Sequence, residues 1–273
     1  MASSVPRVLV LGGHGKVSLL LQPILLAKKW HVTSVVRNPD HEAEILALGQ
    51  GQPGKIDVVV DSLDEVQDPS QAQRVLDKVQ PDIVVWSAGA GGKGAPSRTR
   101  AVDEIAAKAY ITAAVGTPSV SKFLMVSYIA SRRGYPPWWT EEDRKSADHV
   151  NHKVLPHYFQ AKVEADEHLE ALAQKRRDGG DKVFQAINLR PGSLTDTPGT
   201  GRVTLGKTSA RGNVPRADVA AVAAALLSRN DTRGWFDLLE GEVPIDEAID
   251  QLVQNGHDGL EGEDLQRIHA RAV

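Results

Sequence analysis

A glycine-rich turn between an apolar run and a helical pattern constrains the fold of this chain most strongly. Residues 8–11 form a continuous apolar run, typical of a parallel strand covered on both faces, and Gly12 follows at once. Gly12 allows a backbone turn that a Cβ would obstruct, and Gly15 leaves room for a pyrophosphate beside the amides of the next helix. Such turns also occur in ordinary strand-loop-helix units. The turn predicts a dinucleotide site, with Ser18 at the third small position.

The residues of this turn and of the next strand end supply the first candidate cofactor contacts. Those of the turn and the start of its helix are Gly12, His14, Gly15, Lys16 and Val17. Arg37 ends the second apolar run, where an acidic side chain would hold the ribose 2′-hydroxyl of NAD and an arginine pairs with the 2′-phosphate of NADP. A solvated arginine at a strand end is the alternative interpretation. The position favours NADP.

Composition excludes several classes of protein. The net charge of -3 gives no indication of a nucleic-acid partner, and the absence of cysteine excludes disulfides and thiol catalysis. The longest apolar stretch, residues 17–27, is too short to span a bilayer, and the first strand begins too early for a signal peptide to precede it. We expect a cytoplasmic protein with no membrane or nucleic-acid partner. It should act on a small-molecule substrate as a monomer or homodimer.

Apolar runs and helical patterns alternate along the chain. The runs that predict strands are residues 8–11, 31–36, 56–60, 83–86, 122–126, 182–189 and 235–239. This alternation predicts an α/β fold with a doubly wound parallel sheet of the Rossmann type and helices on both faces. No repeat or linker divides the chain. We expect one domain over residues 1–273, with C-terminal helices at residues 240–273 on the substrate side.

Further candidate contacts follow the predicted strands, because the carboxyl ends of parallel strands meet at one edge of a sheet. These contacts are Asp61, Ser62, Ala88, Gly89 and Pro191. Asp61 follows the third strand, where a loop lies over the adenine, and a helix N-cap is its other possible role. Residues 87–94 form a glycine-rich loop that suits a close approach of backbone to ligand, with a merely flexible loop as the alternative.

Residues 129–157 form a long connection without a clear periodic pattern. Connections of this length are usually functional covers or disordered segments, and the adjacent Trp138 and Trp139 favour a cover over the active site. The segment also contains three histidines, His149, His152 and His157. Their spacing does not match the four ligands of structural zinc, so we expect no metal.

Six motifs occur in one order along nearly the whole chain. They are Gly12-Gly-His-Gly-Lys-Val-Ser18, Trp86-Ser-Ala-Gly-Ala-Gly-Gly-Lys-Gly94 with Val102-Asp103 downstream, Val126-Ser127, Tyr158-x-x-x-Lys162, Leu189-Arg-Pro-Gly192 and Arg216-Ala-Asp-Val219. In this combination the chain resembles the short-chain dehydrogenase/reductase superfamily, and more narrowly its atypical, NmrA-like branch of single-domain NAD(P)-binding proteins. The resemblance implies the fold and the cofactor class.

By motif, the resemblance also implies an active site of Ser127, Tyr158 and Lys162. Four residues apart on a helix, Tyr158 and Lys162 share one face, so the ammonium can lower the phenol pKa and also reach the nicotinamide ribose. The phenol would then serve as the general acid in reduction or the general base in oxidation. Ser127 would donate a hydrogen bond to the developing oxyanion.

These expectations combine into an NADP-dependent oxidoreductase that acts on a carbonyl or alcohol of a small organic molecule, with Tyr158 as proton donor or acceptor. The NmrA-like branch also includes regulators that bind dinucleotide without turnover, so an NADP-sensing regulatory protein is the alternative. A sugar-nucleotide epimerase or dehydratase is less favoured, because the C-terminal portion expected of such an enzyme is small here.

Overall fold

A computed structural model describes residues 5–90 and 95–272, and a nine-stranded sheet runs through it. The strands in chain order are β1 (Arg7–Leu11), β2 (His31–Val36), β3 (Lys55–Val60), β4 (Ile83–Trp86), β5 (Lys122–Val126), β6 (Gln185–Pro191), β7 (Ser193–Thr195), β8 (Arg202–Gly206), β9 (Asn213–Pro215), β10 (Gly234–Glu240) and β11 (Val243–Pro244). The sheet has the order β11-β8-β10-β6-β5-β4-β1-β2-β3, and β7 pairs with β9 separately.

Ten α-helices surround the sheet within the described residues. They are α1 (Lys16–Ala27), α2 (Glu42–Ala47), α3 (Pro69–Val79), α4 (Pro96–Thr99), α5 (Ala107–Gly116), α6 (Glu141–His149), α7 (Pro156–Asp178), α8 (Arg216–Leu227), α9 (Ile245–Gln254) and α10 (Leu265–His269). Two π-helical stretches, Arg100–Ala106 and Val150–Val154, join α4 to α5 and follow α6. None of the described helices combines the length and the apolar character that crossing a membrane requires.

Alternating residues of the buried strands fill two separate cores, one on each face of the sheet. On β1, Leu9 and Leu11 point into one core, and Val8 and Val10 point into the other. Helices α3, α5 and α7 cover the first face, and α1, α8 and α9 cover the second. This arrangement is the doubly wound α/β fold that the sequence predicts.

Helices α1 and α8 pack against each other on the second face, although nearly 200 residues separate them in the chain. Leu21 and Leu25 of α1 share one buried cluster with Val219 and Ala223 of α8. The second core therefore closes only when the beginning and the later part of the chain meet.

The register aligns the carboxyl ends of the central strands. Leu11 of β1 lies opposite Val35 of β2 and Trp86 of β4, and β4, β5 and β6 continue the parallel alignment. The turns that follow these strands therefore open at one edge of the sheet, where ligands of doubly wound folds bind.

The predicted strands 31–36, 83–86 and 122–126 are confirmed at both ends. The sixth strand begins at Gln185 and not at residue 182, because the carboxylate of Asp181 accepts hydrogen bonds from the amides of Val183 and Phe184 at 3.2 Å and holds them in a turn. The strand predicted at 235–239 is β10, and it is not the last. The sheet continues beyond it through β8, which runs antiparallel to β10, and then β11.

The segment 129–157 is more regular than the sequence predicts. Thr140 Oγ1 accepts a hydrogen bond from the amide of Asp143 at 3.2 Å, and the Asp143 carboxylate accepts one from the amide of Thr140 at 3.0 Å. This reciprocal cap begins α6, which the π-helical stretch Val150–Val154 extends toward α7. The segment is therefore largely helical.

Candidate functional site

The glycine turn packs tightly against two neighbouring strands. Gly12 has a φ of +84°, and a Cβ there would lie 2.6 Å from the Cα of Ala88 after β4. A Cβ on Gly13 would collide with the Ser34 hydroxyl of β2. Both glycines are thus required for the turn to fold at this edge of the sheet.

The turn delivers the N-terminus of α1 to an open groove. Gly15 is the N-cap of α1 and supplies no side-chain hydrogen bond, and the first turn of the helix holds no acidic residue. Gly12, His14 and Gly15 all line the groove beside this helix end. An uncapped helix N-terminus attracts phosphate through its free amides and its positive dipole end. The cradle therefore fits the pyrophosphate of a dinucleotide.

The groove brings together more than half of the predicted cofactor contacts. Those that line it are Gly12, His14, Gly15, Arg37, Asp61, Ala88 and Gly89. Residues 91–94 of the predicted glycine-rich loop lie outside the described residues. The groove also has lining residues that the sequence analysis did not name as individual cofactor contacts, and these are Val35, Val36, Asn38, His41, Leu63, Asp64, Ser87, Arg98 and Val102.

The other predicted contacts lie elsewhere in this conformation. The exposed Lys16 donates a hydrogen bond to Asp196 at 2.7 Å, and the side chain of Val17 is buried in the second core. Ser62 precedes a short 3-10 turn without capping it through its side chain. Pro191 ends β6, and its carbonyl accepts a hydrogen bond from the amide of Ile129 at 3.1 Å.

Positively charged groups gather at one end of the groove. Arg37 Nη1 donates to Asp64 Oδ2 at 2.9 Å, and Arg98 Nε approaches the same oxygen at 3.3 Å. The ring of His14 stacks on His41, with their centroids 3.5 Å apart. Two guanidinium groups that converge on one carboxylate oxygen can also converge on a phosphate. This part of the groove can therefore hold an anionic group of a bound nucleotide.

Ser127, Tyr158 and Lys162 meet at the carboxyl end of β5. Ser127 directly follows this strand, and the buried Lys162 donates from Nζ to the carbonyl oxygen of Val126 at 3.0 Å. The ring of Tyr158 packs on that of Tyr128, with centroids 5.2 Å apart. The chain therefore places a hydroxyl, a phenol and an ammonium together beside the edge of the sheet where the groove opens.

A fourth group, Asp166, lies behind this set. It is fully buried on α7, one turn beyond Lys162, and its Oδ2 accepts hydrogen bonds from the hydroxyls of Ser127 and Ser131 at 2.6 Å each. Arg190 of β6 holds the same loop by donating to the carbonyl oxygens of Ser131 and Ile129 at 2.9 Å each. The loop after β5 is thus fixed by its own hydroxyls and carbonyls.

The acidic neighbours change the expected chemistry of Tyr158. Burial raises the pKa of its phenol, and the negative charges of Asp103 and Asp166 raise it further. The sequence analysis expected Lys162 to lower this pKa, but its ammonium donates to the end of β5 instead. The phenol is therefore protonated at neutral pH.

Asp103 is a further acidic group that the sequence reasoning did not assign to the site. It lies fully buried in the π-helical stretch Arg100–Ala106, and its Oδ2 accepts a hydrogen bond from the amide of Ala90 at 2.9 Å. Burial raises the pKa of Asp103, while the charge of Lys162 lowers it. Asp103 thus links the loop after β4 to the neighbourhood of Lys162.

The tryptophans of the expected cover are anchored and do not form an exposed pair. The indole nitrogens of Trp138 and Trp139 both donate to the carbonyl oxygen of Thr208, at 3.0 and 3.1 Å. Trp139 is only 3% exposed, and the guanidinium of Arg132 lies 4.8 Å from its ring centroid. The described residues contain no group of three metal-ligating side chains, within this segment or elsewhere.

Comparisons with known proteins agree with this geometry. Residues 12–230 match the model of a family described as NAD(P)H-binding. A UPF0659 protein of Schizosaccharomyces pombe is 34% identical over 252 residues, which cover 90% of this chain and 95% of the relative.

Two solved structures share the fold over most of this chain. One, from Bacillus halodurans and provisionally assigned as an NAD-dependent epimerase/dehydratase, has 27% identity and a TM-score of 0.70, and the match covers 90% of this chain and 100% of the other. The oxidoreductase ylbE from Lactococcus lactis has 21% identity and a TM-score of 0.67, with 92% and 98% covered. At that lower identity, the second likeness concerns the fold alone.

Proposed function

The chain belongs to the NAD(P)H-binding family, and from that premise we propose that it is an NADP-dependent oxidoreductase. Its substrate would be a carbonyl compound, or the corresponding alcohol, of a small and partly apolar organic molecule. We further propose that it lies within the short-chain dehydrogenase/reductase superfamily, close to the NmrA-like branch that its motifs resemble. The observation that carries the proposal is the meeting of Ser127, Tyr158 and Lys162 at the end of β5.

The proposed chemistry assigns one step to each of these side chains. NADPH, when bound, supplies the hydride that reaches the carbonyl carbon. Tyr158 gives its phenolic proton to the carbonyl oxygen and regains a proton from solvent, so the product is an alcohol. Ser127 stabilises the developing oxyanion, and Lys162 holds positive charge beside it. Because burial and two acids raise the pKa of Tyr158, the phenol carries the proton that carbonyl reduction needs.

The preference for NADP rests on Arg37 and Arg98. Both guanidinium groups line the groove and approach the same oxygen of Asp64, so they are already close enough together to share one phosphate. We assign that role to the 2′-phosphate, which NAD lacks.

A screen of NADPH consumption over aldehydes, ketones and quinones tests the proposal. Reduction of at least one carbonyl class, with strong loss in Tyr158→Phe, is the expected result. The alternative is an NADP-sensing regulator, and it predicts cofactor binding with no consumption for any substrate class. The segment Gly134 to Pro156 should then respond to cofactor by recruiting a protein partner rather than by enclosing a substrate.

A second candidate activity is suggested by the Bacillus halodurans structure and its provisional assignment to the epimerases and dehydratases. An epimerase returns the hydride to its substrate, so it interconverts sugar nucleotides without net consumption of NADPH. Product analysis of sugar nucleotides by chromatography, with cofactor absorbance followed in parallel, separates this activity from carbonyl reduction.

A further inference from the structure

The hydroxyl of Ser127 is turned toward the buried carboxylate of Asp166. Its single proton is donated to Asp166 Oδ2 at 2.6 Å, so the side chain offers only oxygen lone pairs in other directions. A carbonyl oxygen also carries only lone pairs, and it needs a donor to stabilise the charge that develops during reduction. In this arrangement, Ser127 cannot supply that donor.

The hydrogen-bonding pattern of Asp166 suggests how the hydrogen bond between Ser127 and Asp166 can reverse its direction. Oδ2 accepts from two serine hydroxyls, whereas Oδ1 has no hydrogen-bond partner among the described residues. A carboxylate can only accept, but a protonated carboxyl also donates one hydrogen bond. A proton on Asp166 would therefore let it donate to Ser127 and free the hydroxyl proton of Ser127 to turn outward.

The surroundings of Asp166 permit both protonation states. Burial raises the pKa of Asp166, whereas the charges of Lys162 and Arg190 and the two serine hydrogen bonds lower it. The other titratable groups that face it are Tyr128 and Tyr158, both neutral at physiological pH because burial raises their pKa values. Opposing influences of this kind keep a carboxyl poised between its two forms.

We propose that Asp166 is a positioning residue that sets the hydrogen-bond direction of Ser127. Protonated Asp166 makes Ser127 a donor to a carbonyl substrate, and ionised Asp166 makes Ser127 an acceptor for an alcohol. Asp166 gives up no proton in the net reaction, because Tyr158 supplies the proton that the carbonyl oxygen takes up when the alcohol forms. The inference rests on the proposed function, and it predicts that reduction and oxidation depend on pH in opposite directions through one shared group.

A spectroscopic titration of the cofactor-free protein tests whether Asp166 takes up a proton. The infrared carbonyl band of a protonated carboxyl, absent from ionised carboxylates, should titrate in the wild-type protein above the ordinary aspartate range. Asp166→Asn should remove that band. Ser131→Ala deletes one hydrogen bond that favours the ionised form, so the midpoint should rise by about 1 to 2 pH units.

Kinetics with cofactor test whether the protonation state of Asp166 controls carbonyl reduction. The rate of carbonyl reduction should fall as pH rises through the midpoint seen by infrared, and Ser131→Ala should shift this fall upward by the same amount. Asp166→Asn should abolish this pH dependence. Ser121→Ala is the matched control, because that hydroxyl donates to the carbonyl oxygen of Asp82 at the far end of β5 and should move neither midpoint.

The outcomes separate the inference from the proposed function. Reduction that proceeds in Ser131→Ala with an unshifted pH dependence overturns the role of Asp166 and leaves the oxidoreductase intact. A cofactor-free protein without a protonated carboxyl band assignable to Asp166 also overturns the role, whatever the activity. A wild-type protein that reduces no carbonyl overturns both proposals.

Discussion

Arg37 and Asp64 form an ion pair across the mouth of the cofactor groove, with Nη1 and Oδ2 separated by 2.9 Å. Arg98 approaches the same oxygen at 3.3 Å, so one carboxylate holds two guanidinium groups. Since carboxylate and phosphate oxygens accept the same hydrogen bonds, the 2′-phosphate of the proposed NADP cofactor would share the two arginines with Asp64. We therefore expect the Asp64 carboxylate and the 2′-phosphate of a bound cofactor to compete for the two guanidinium groups.

Replacing Arg37 by Ala should weaken NADPH binding by roughly 10- to 100-fold, because a charge-assisted hydrogen bond is lost, and should leave NADH binding nearly unchanged. Fluorescence titration with both cofactors measures this. Arg74→Ala removes an exposed arginine outside the groove and serves as the control. Equal losses for the two cofactors would show that Arg37 does not recognise the 2′-phosphate.

Replacing Asp64 by Asn should change NADPH affinity in the opposite direction and strengthen it. The substitution removes the internal competitor while keeping nearly the same shape, so NADPH should bind about 2- to 5-fold more tightly, the range expected for a largely exposed ion pair. NADH affinity should not change. Weaker NADPH binding in this variant would mean that Asp64 orients the two arginines rather than competing for them.

Tyr158→Phe keeps the aromatic packing against Tyr128 and removes only the phenolic hydroxyl. Fold and cofactor affinity should persist, while turnover of a carbonyl substrate should fall by roughly 10²- to 10⁴-fold. Steady-state kinetics, with thermal melting as the folding control, measure both effects. Near-parental turnover would show that Tyr158 is not the proton donor.

Lys162→Met should differ from Tyr158→Phe in one respect. We expect it to lower turnover and also to weaken cofactor binding, because the ammonium is proposed to reach the nicotinamide ribose. The test compares cofactor dissociation constants for the two variants. Unchanged affinity would mean that Lys162 does not contact the cofactor and donates only to the carbonyl oxygen of Val126.

His168 should make the protein less stable in mild acid. Burial, together with the nearby charges of Lys108 and Arg271, lowers its pKa to about 4. Between pH 4 and 6.5 the unfolded chain then binds more protons than the native protein, so stability is lost as the pH falls through this window. The loss from pH 7 to pH 5 should be about 1 to 2 kcal/mol.

His168→Gln should remove this loss while retaining a hydrogen-bond partner for the hydroxyl of Thr112. Urea unfolding at the two pH values measures the difference. His149→Gln, at an exposed position, is the control and should keep the parental pH dependence. If His168→Gln loses as much stability between pH 7 and pH 5 as the parental protein, other groups cause the acid sensitivity.

Trp139 should stabilise the segment 129–157 more than Trp138 does, although both indoles donate to one carbonyl. Trp139→Ala should cost about 3 to 5 kcal/mol, as for other buried tryptophans, and Trp138→Ala should cost less because that ring is half-exposed. Hydrogen exchange of residues 140–149 should accelerate more in the first variant. Similar effects in both would indicate that the shared carbonyl, not burial, anchors the segment.

The sequence predicts the central strands well because a parallel strand covered on both faces needs a continuous apolar run. It does not predict β8 and β11, since β8 mixes polar and apolar residues over five positions and β11 consists only of Val243 and Pro244. The start of α6 was detectable, because Thr140 and Asp143 have the spacing of a capping box.

The candidate site was predictable where its residues follow strands or belong to the Tyr158-x-x-x-Lys162 motif. Arg98 and Asp64 come from separate turns, and only the folded chain brings them into contact. Asp166 was visible at one helical turn from Lys162, but a charged helix residue usually faces solvent, and its burial follows from the tertiary packing of α7.

The packing of α1 against α8 limits how this chain can be recombined with others. A fusion that borrowed only residues 1–130 as a nucleotide-binding module would carry the glycine turn but strip Leu21 and Leu25 of their partners on α8. Exposing each such leucine costs about 1.5 to 3 kcal/mol. Crossover points that preserve folding should therefore lie outside residues 16–227, and chimaeras with exchanged cofactor preference are better made by point substitution within the groove.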